Sequence, residues 1–131
     1  MTLKAEISYE IPFYDTDGLN IIWYGNYFKY FELARNLLFK KNKIDIPVWS
    51  KYKFLLLIVD TKCKYYKPLR YNDKIKIIAS IKEKTYRLKI CYQIFNLNTK
   101  KLLADGYTVQ VAVNKNNFQM YSKLPSQLIK K

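Results

Sequence analysis

Apolar residues recur along this chain with two periods. From Tyr27 they fall at Tyr27, Tyr30, Phe31, Ala34, Leu37 and Leu38, the i, i+3, i+4, i+7 spacing of a helix with one apolar face. Lys40, Lys41 and Lys43 follow, where cations suit the C-terminal end of a helix dipole, so a helix to about Lys41 is predicted. Elsewhere the period is two. Ile7, Tyr9, Ile11 and Phe13 alternate within residues 3 to 13, a first strand with Pro12 near its end, where proline is tolerated. Phe54 to Val59 is a continuous apolar run, read as a buried strand that continues with alternation to Lys67 before a turn at Pro68 to Asp73. Ile75, Ile77, Ala79 and Ile81 alternate with Lys74, Lys76, Ser80 and Lys82. Ile78 breaks that polar face and is expected to mark a subunit contact. Leu88, Ile90, Tyr92 and Ile94 give another strand, and Asn96 to Lys101 reads as a hairpin turn. The last strand runs from Leu102 to Val113, with Tyr107, Val109, Val111 and Val113 on one face and Ala104, Gly106, Thr108 and Ala112 on the other. Small residues on one face let a helix pack closely. Residues 44 to 53 form a connection broken by Pro47, with Trp49 packed under it, and Pro125 to Lys131 a short terminal helix. One long helix after the first strand, then four strands on tight turns, is an α+β layout that suits a sheet curled around that helix.

Composition narrows the reading. The 131 residues, 50% of them hydrophobic, suit one domain with a real core. Cys63 and Cys91 each sit in an apolar run, neither a disulfide framework nor a metal-ligand spacing, which fits a reducing compartment. The first residues lack the apolar core of a signal peptide, and Phe54 to Val59 is too short to span a bilayer. A cytoplasmic protein is expected. Lys and Arg number 24 against 10 Asp and Glu, a net charge of +14, which raises the question of nucleic acid. The bases are nearly all lysine, evenly spread, with Arg only at Arg35, Arg70 and Arg87, whereas base and phosphate reading leans on the forked guanidinium. Basic surface also suits a ligand with several phosphates, such as coenzyme A. No histidine is present, which removes His-based triads and His-containing zinc sites and leaves carboxylates, Lys, Tyr or Cys for proton transfer.

The chemistry points to residues 14 to 27, Tyr-Asp-Thr-Asp-Gly-Leu-Asn-Ile-Ile-Trp-Tyr-Gly-Asn-Tyr. Two carboxylates lie in a turn directly before a helix N-terminus, whose unpaired N–H groups favour developing negative charge. An acid beside an oxyanion-binding helix end is an acyl-transfer arrangement, although Asp-Thr-Asp-Gly is by itself ordinary turn chemistry. The segment resembles the signature of the 4-hydroxybenzoyl-CoA thioesterase branch of the hotdog-fold acyl-CoA thioesterases. That pattern is an Asp in a short turn, a small residue, a Val/Ile pair, then an aromatic or His leading to Asn-Tyr and a long helix. Here it reads Thr16-Asp17, Ile21-Ile22, Trp23-Tyr24, Asn26-Tyr27 and Phe31-Glu32-Leu33-Ala34-Arg35. Asn20 stands where the family usually has Gly, and Asn tolerates the left-handed backbone that Gly supplies. Tyr24 stands where many members have His, which leaves the substrate class open.

The resemblance implies a hotdog fold, an antiparallel five-stranded sheet curled around one long helix in the order β-α-β-β-β-β, over residues 1 to 131. It also implies an acyl-CoA thioesterase working as a homo-oligomer, a dimer or a dimer of dimers; with no His and no ligand spacing of Cys, no metal or cofactor is expected. It selects Asp17 over Asp15 as the catalytic carboxylate, either as nucleophile or as base for a water; Asp15 is left with turn stabilisation. The N–H of Tyr24 or Gly25 is the expected oxyanion donor. Asn26 caps the helix and shapes the pocket, while Tyr27 and Tyr65 line it, Tyr65 with Tyr66 otherwise covering a sheet face. Glu32 and Arg35 form a structural pair on the helix. Lys82, Lys84, Arg87 and Lys89 are the local candidates for coenzyme A phosphates; the plainer reading is a solvated basic surface. The rivals are an acyl-carrier-protein thioesterase whose basic face docks an acidic carrier, and a non-catalytic acyl-CoA-binding hotdog protein. Dispersed lysines without an arginine and aromatic platform argue against nucleic acid.

Overall fold

The computed structural model describes residues 2–44 and 51–129. Its elements are β1 (Lys4–Glu10), a single 3-10 turn (Phe13–Asp15), α1 (Asn26–Lys41), β2 (Phe54–Tyr65), β3 (Lys74–Glu83), β4 (Leu88–Asn96), β5 (Leu102–Asn114) and α2 (Ser126–Ile129). The five strands make one antiparallel sheet in the order β1-β3-β4-β5-β2. With α1 on its inner face, this is the hotdog arrangement. The expected connection at 44 to 53, with Pro47 and Trp49, falls largely on residues outside those described.

Alternation along the strands decides which side faces the helix. Ile75, Ile77, Ala79, Ile81, Ile90, Tyr92 and Ile94 point inward and are buried, and α1 meets them with Tyr30, Phe31, Ala34 and Leu38. Each large apolar side chain removed from water in this way contributes roughly 1.5–3 kcal/mol. The rings of Phe31 and Tyr92 stack with centroids 4.5 Å apart. The Tyr92 hydroxyl shares a 2.7 Å hydrogen bond with Thr108, so its polar end is satisfied inside the core. The small residues of β5 do what their face suggested: a Cβ on Gly106 would collide with the Lys62 carbonyl and stand 2.9 Å from the Phe31 ring. α1 stops at Asn42, whose buried side chain donates to the carbonyls of Leu38 and Thr2. Lys43 then takes a left-handed turn at φ 58°.

Several expectations need correction. Ile78 is only 7% exposed within one chain, so burial inside the chain by itself accounts for its apolar character. The run Phe54 to Val59 is buried only at Phe54 and Leu56, while Leu57, Ile58 and Val59 are 38%, 46% and 59% exposed. β2 is an edge strand, and a register shift between Ile58 and Asp60 interrupts its pairing with β5. Glu32 and Arg35 form no ion pair; burial raises the Tyr92 hydroxyl, and the Arg35 charge instead works against that rise by favouring the ionised form.

Candidate active site

The signature turn is a miniature hairpin. The Thr16 hydroxyl and N–H both donate to the Phe13 carbonyl, at 2.7 and 3.0 Å, which ends the 3-10 turn. The Asp17 N–H then donates to Ile21 (2.9 Å) and the Trp23 N–H to the carbonyl of Asp15 (3.1 Å). The reversal needs two left-handed residues, Gly18 at φ 91° and Asn20 at φ 66°, so Asn20 takes the backbone that the family's Gly supplies. The return leg is stitched to the loop after β2, with Ile22 N–H on the Leu69 carbonyl and Tyr71 N–H on that of Asn20.

The two carboxylates have opposite surroundings. Asp17 is exposed at the hairpin tip, and its Oδ1 accepts the Leu19 N–H at 2.9 Å. Asp15 is 2% exposed and is held by Lys29 and Tyr30 of α1. Asp15 is thus a buried anchor rather than only a turn residue. The available signal was Tyr9 and Tyr30 at inward positions, since buried tyrosine hydroxyls need a polar partner.

α1 begins six residues beyond the Asp17 reversal's far end of Asn20, at Asn26. Its N-cap is Gly25, at φ −63° and ψ −21°, with no side-chain cap. The N–H groups of Asn26 and Tyr27 turn back to the carbonyls of Trp23 (2.9 Å) and Tyr24 (3.3 Å). Among the described residues, the N–H groups of Tyr24 and Gly25 have no backbone acceptor. Asn26 is therefore not the cap. It is the first helical residue, and its Nδ2 donates to the Asp15 carbonyl at 2.8 Å. The Trp23 indole lies over Gly25.

Tyr27 and Tyr65 come together edge to face, with ring centroids 4.7 Å apart. Tyr27 is buried, which pushes its hydroxyl up to about 12 against the opposing effect of a hydrogen bond with the Leu69 backbone. Cys63, also on β2, lies beside this pair; burial raises its thiol to about 11, with the neighbouring Tyr65 hydroxyl acting in the opposite direction. Tyr24 and Trp23 stay exposed with rings 5.4 Å apart. The turn, the start of α1 and the end of β2 thus form one aromatic region.

The basic candidates are more scattered. Arg87 bonds Glu83 at 3.0 Å, a weak exposed pair. The Lys89 ammonium sits 4.7 Å from the centre of the Tyr107 ring. Lys82 lines a hollow of about 400 Å³ on the outer face of the sheet, with Lys62, Lys64 and Tyr107. Lys84 is half-buried. Among the described residues no helix is long and apolar enough to cross a membrane.

Comparison with known proteins agrees with this fold. Residues 11–130 match the model of the thioesterase-like superfamily. A Bacillus subtilis protein, YneP, provisionally named an acyl-CoA thioesterase, is 26% identical over 117 residues, 88% of this chain and 83% of that protein. An Aquifex aeolicus protein provisionally named an esterase is 29% identical over 73 residues, 56% of this chain, and the match spans only 57% of that relative's length. Among solved structures, the 1,4-dihydroxy-2-naphthoyl-CoA thioesterase of Synechocystis superimposes with a TM-score of 0.87 at 18% identity, over 97% of this chain and 93% of that one. The chain belongs to the thioesterase-like superfamily and has the hotdog fold.

Proposed function

We propose that this protein is a cytoplasmic acyl-CoA thioesterase that hydrolyses an acyl- or aroyl-CoA to the free acid and coenzyme A, with Asp17 as its catalytic carboxylate. The observation that carries the reading is the exposed Asp17 carboxylate on the turn ahead of a helix start that has no side-chain cap. Asp17 either attacks the thioester carbonyl, forming an acyl anhydride and expelling thiolate, or takes a proton from the water that attacks. In both cases the carbonyl oxygen gains negative charge. The N–H groups of Tyr24 and Gly25, without backbone acceptors among the described residues, are the donors suited to receive it. Thiolate leaves readily, so no strong general acid is required. Tyr27, Tyr65 and Asn26 flank the acyl group, and the Lys82, Lys84, Arg87 and Lys89 surface meets the nucleotide phosphates. The similar YneP and Synechocystis proteins are named for acyl-CoA and aroyl-CoA substrates, which supports the substrate class.

The test is thiol release from short, long and aromatic acyl-CoAs, run beside Asp17→Asn. The variant is expected to fold and to lose roughly 100-fold or more in kcat, the range of a positioned acid or base. Turnover near that of the parent would remove Asp17 from the chemistry. The net charge of +14 also favours an acidic acyl-carrier protein as donor, so an acyl-carrier substrate belongs in the same panel.

A further inference from the structure

Asp15 is the one acidic side chain buried among the described residues, and it receives bonds from three directions. Lys29 Nζ donates to Oδ1 at 2.6 Å, the Tyr30 hydroxyl to Oδ2 at 2.7 Å, and the Tyr9 hydroxyl stands 3.4 Å from Oδ2. The Asp15 carbonyl takes the Trp23 N–H and the Asn26 Nδ2. One residue therefore ties β1, α1 and the return leg of the signature turn together. Its cation is partly exposed but bordered by rings: Lys29 Nζ lies 5.6 to 5.8 Å from the ring centres of Tyr9, Tyr14 and Tyr30, a range where cations are attracted to aromatic faces. Burial works against the Lys29 charge, but the Asp15 carboxylate outweighs it and keeps the ammonium above its ordinary value.

Stability alone explains the pair poorly: the Lys29 side chain is 39% exposed, so solvent screens the attraction, while the Asp15 carboxylate, 3% exposed, still bears the cost of leaving water. What a pair with such defined bonds supplies is a fixed geometry. Asp17 lies two residues from Asp15, and Lys29 lies one turn inside the helix whose N-terminus Gly25 caps. We propose that the Asp15–Lys29 pair is a positioning device that fixes the Asp17 turn relative to the start of α1, and so sets the distance between the carboxylate and the oxyanion donors. This inference rests on the reading of Asp17 as the catalytic group. Misplacement by about 1 Å in such a constellation is enough to cost roughly 100-fold in rate.

The experiment compares Lys29→Met, Asp15→Asn and the double variant with the parent and with Asp17→Asn. Lys29→Met strands a buried carboxylate and lowers the melting temperature. The double variant removes both charges, so its melting temperature returns toward the parent value. Positioning predicts that its kcat nonetheless stays roughly 10- to 100-fold low with KM little changed. It also predicts that the Trp23 and Asp17 amides exchange faster with deuterated water than in the parent. Asp17→Asn serves as the converse case, with low activity and parental amide protection. A double variant that recovers both melting temperature and kcat, or that keeps parental protection at Trp23, overturns the proposal. Full turnover by Asp17→Asn would instead remove the catalytic reading, and the exchange data alone would then decide whether the pair holds the turn.

Discussion

A side chain at Gly25 would collide with the edge of the six-membered ring of the Trp23 indole. The backbone there is already helical, so alanine adds no torsional strain and the whole cost is contact. Gly25→Ala is predicted to keep the fold, displace the exposed indole and disturb the neighbouring N–H groups, lowering kcat about tenfold. Tryptophan emission and thiol release measured together check this; unchanged emission with parental turnover would contradict it. At this scale the sequence was informative wherever a residue type answers a local backbone demand. Asn20 is legible as left-handed because the family pattern has Gly there, and Asp17 is legible as a turn carboxylate beside Gly18. Asp15 is not legible as buried, because nothing local separates it from Asp17: its burial depends on Tyr9, Lys29 and Tyr30, which lie 6, 14 and 15 positions away in the chain. Asn26 misled for the same reason. A helix-start asparagine looks like a cap, and only the folded hairpin brings the Asp15 carbonyl within its reach.

Among the elements, β5 makes room at Gly106 for the Phe31 ring of α1 and for the neighbouring strand. Gly106 pairs with Cys63 on one side and Tyr92 on the other, and a methyl group there would meet the Lys62 backbone as well as Phe31. A ring can turn aside; a neighbouring strand held by its ladder cannot without losing hydrogen bonds. Gly106→Ala should therefore cost about 1–3 kcal/mol, as overpacking does in a filled core, read as a lower midpoint in urea with little change in slope. A neutral effect would mean that β2 yields more easily than its pairing suggests. The strands themselves were readable because alternation on β3, β4 and β5 records a sheet with one face buried. Their ends were not. β1 stops at Glu10 because the chain turns away: Ile11 bonds with Asp73 and Asn72 across the loop, and Pro12 has no N–H to offer. β2 stops at Tyr65 because the N–H groups of Tyr66 and Lys67 both turn to the Leu103 carbonyl. Such endings depend on which partner backbone is present, and periodicity holds no record of that.

For the whole molecule the unresolved demand is at the β2 edge. Strand β1, the opposite edge, turns Lys4, Glu6, Ser8 and Glu10 outward, charges and hydroxyls that discourage pairing. β2 instead exposes Leu57, Ile58 and Val59, with Tyr65 and Tyr66 further along and Trp23 and Tyr24 exposed on the turn. The apolar run was legible, but it looked like an ordinary buried strand, because a surface that waits for another chain has the same composition as a core. We predict a homodimer formed across β2, which two such dimers can extend to a tetramer, and active sites that need both chains. A two-fold interface presents the same patch from each subunit, so Val59→Lys would place two added charges close together in an already basic molecule. Light scattering across a dilution series, with activity measured on the same samples, should give two or four chains for the parent and mostly one for Val59→Lys, with turnover falling as the dimer is lost. Salt should partly restore the variant's assembly by screening the lysines. A parent protein that is monomeric at full specific activity would show that the β2 edge is tolerated in water and that the Asp17 turn works within a single chain.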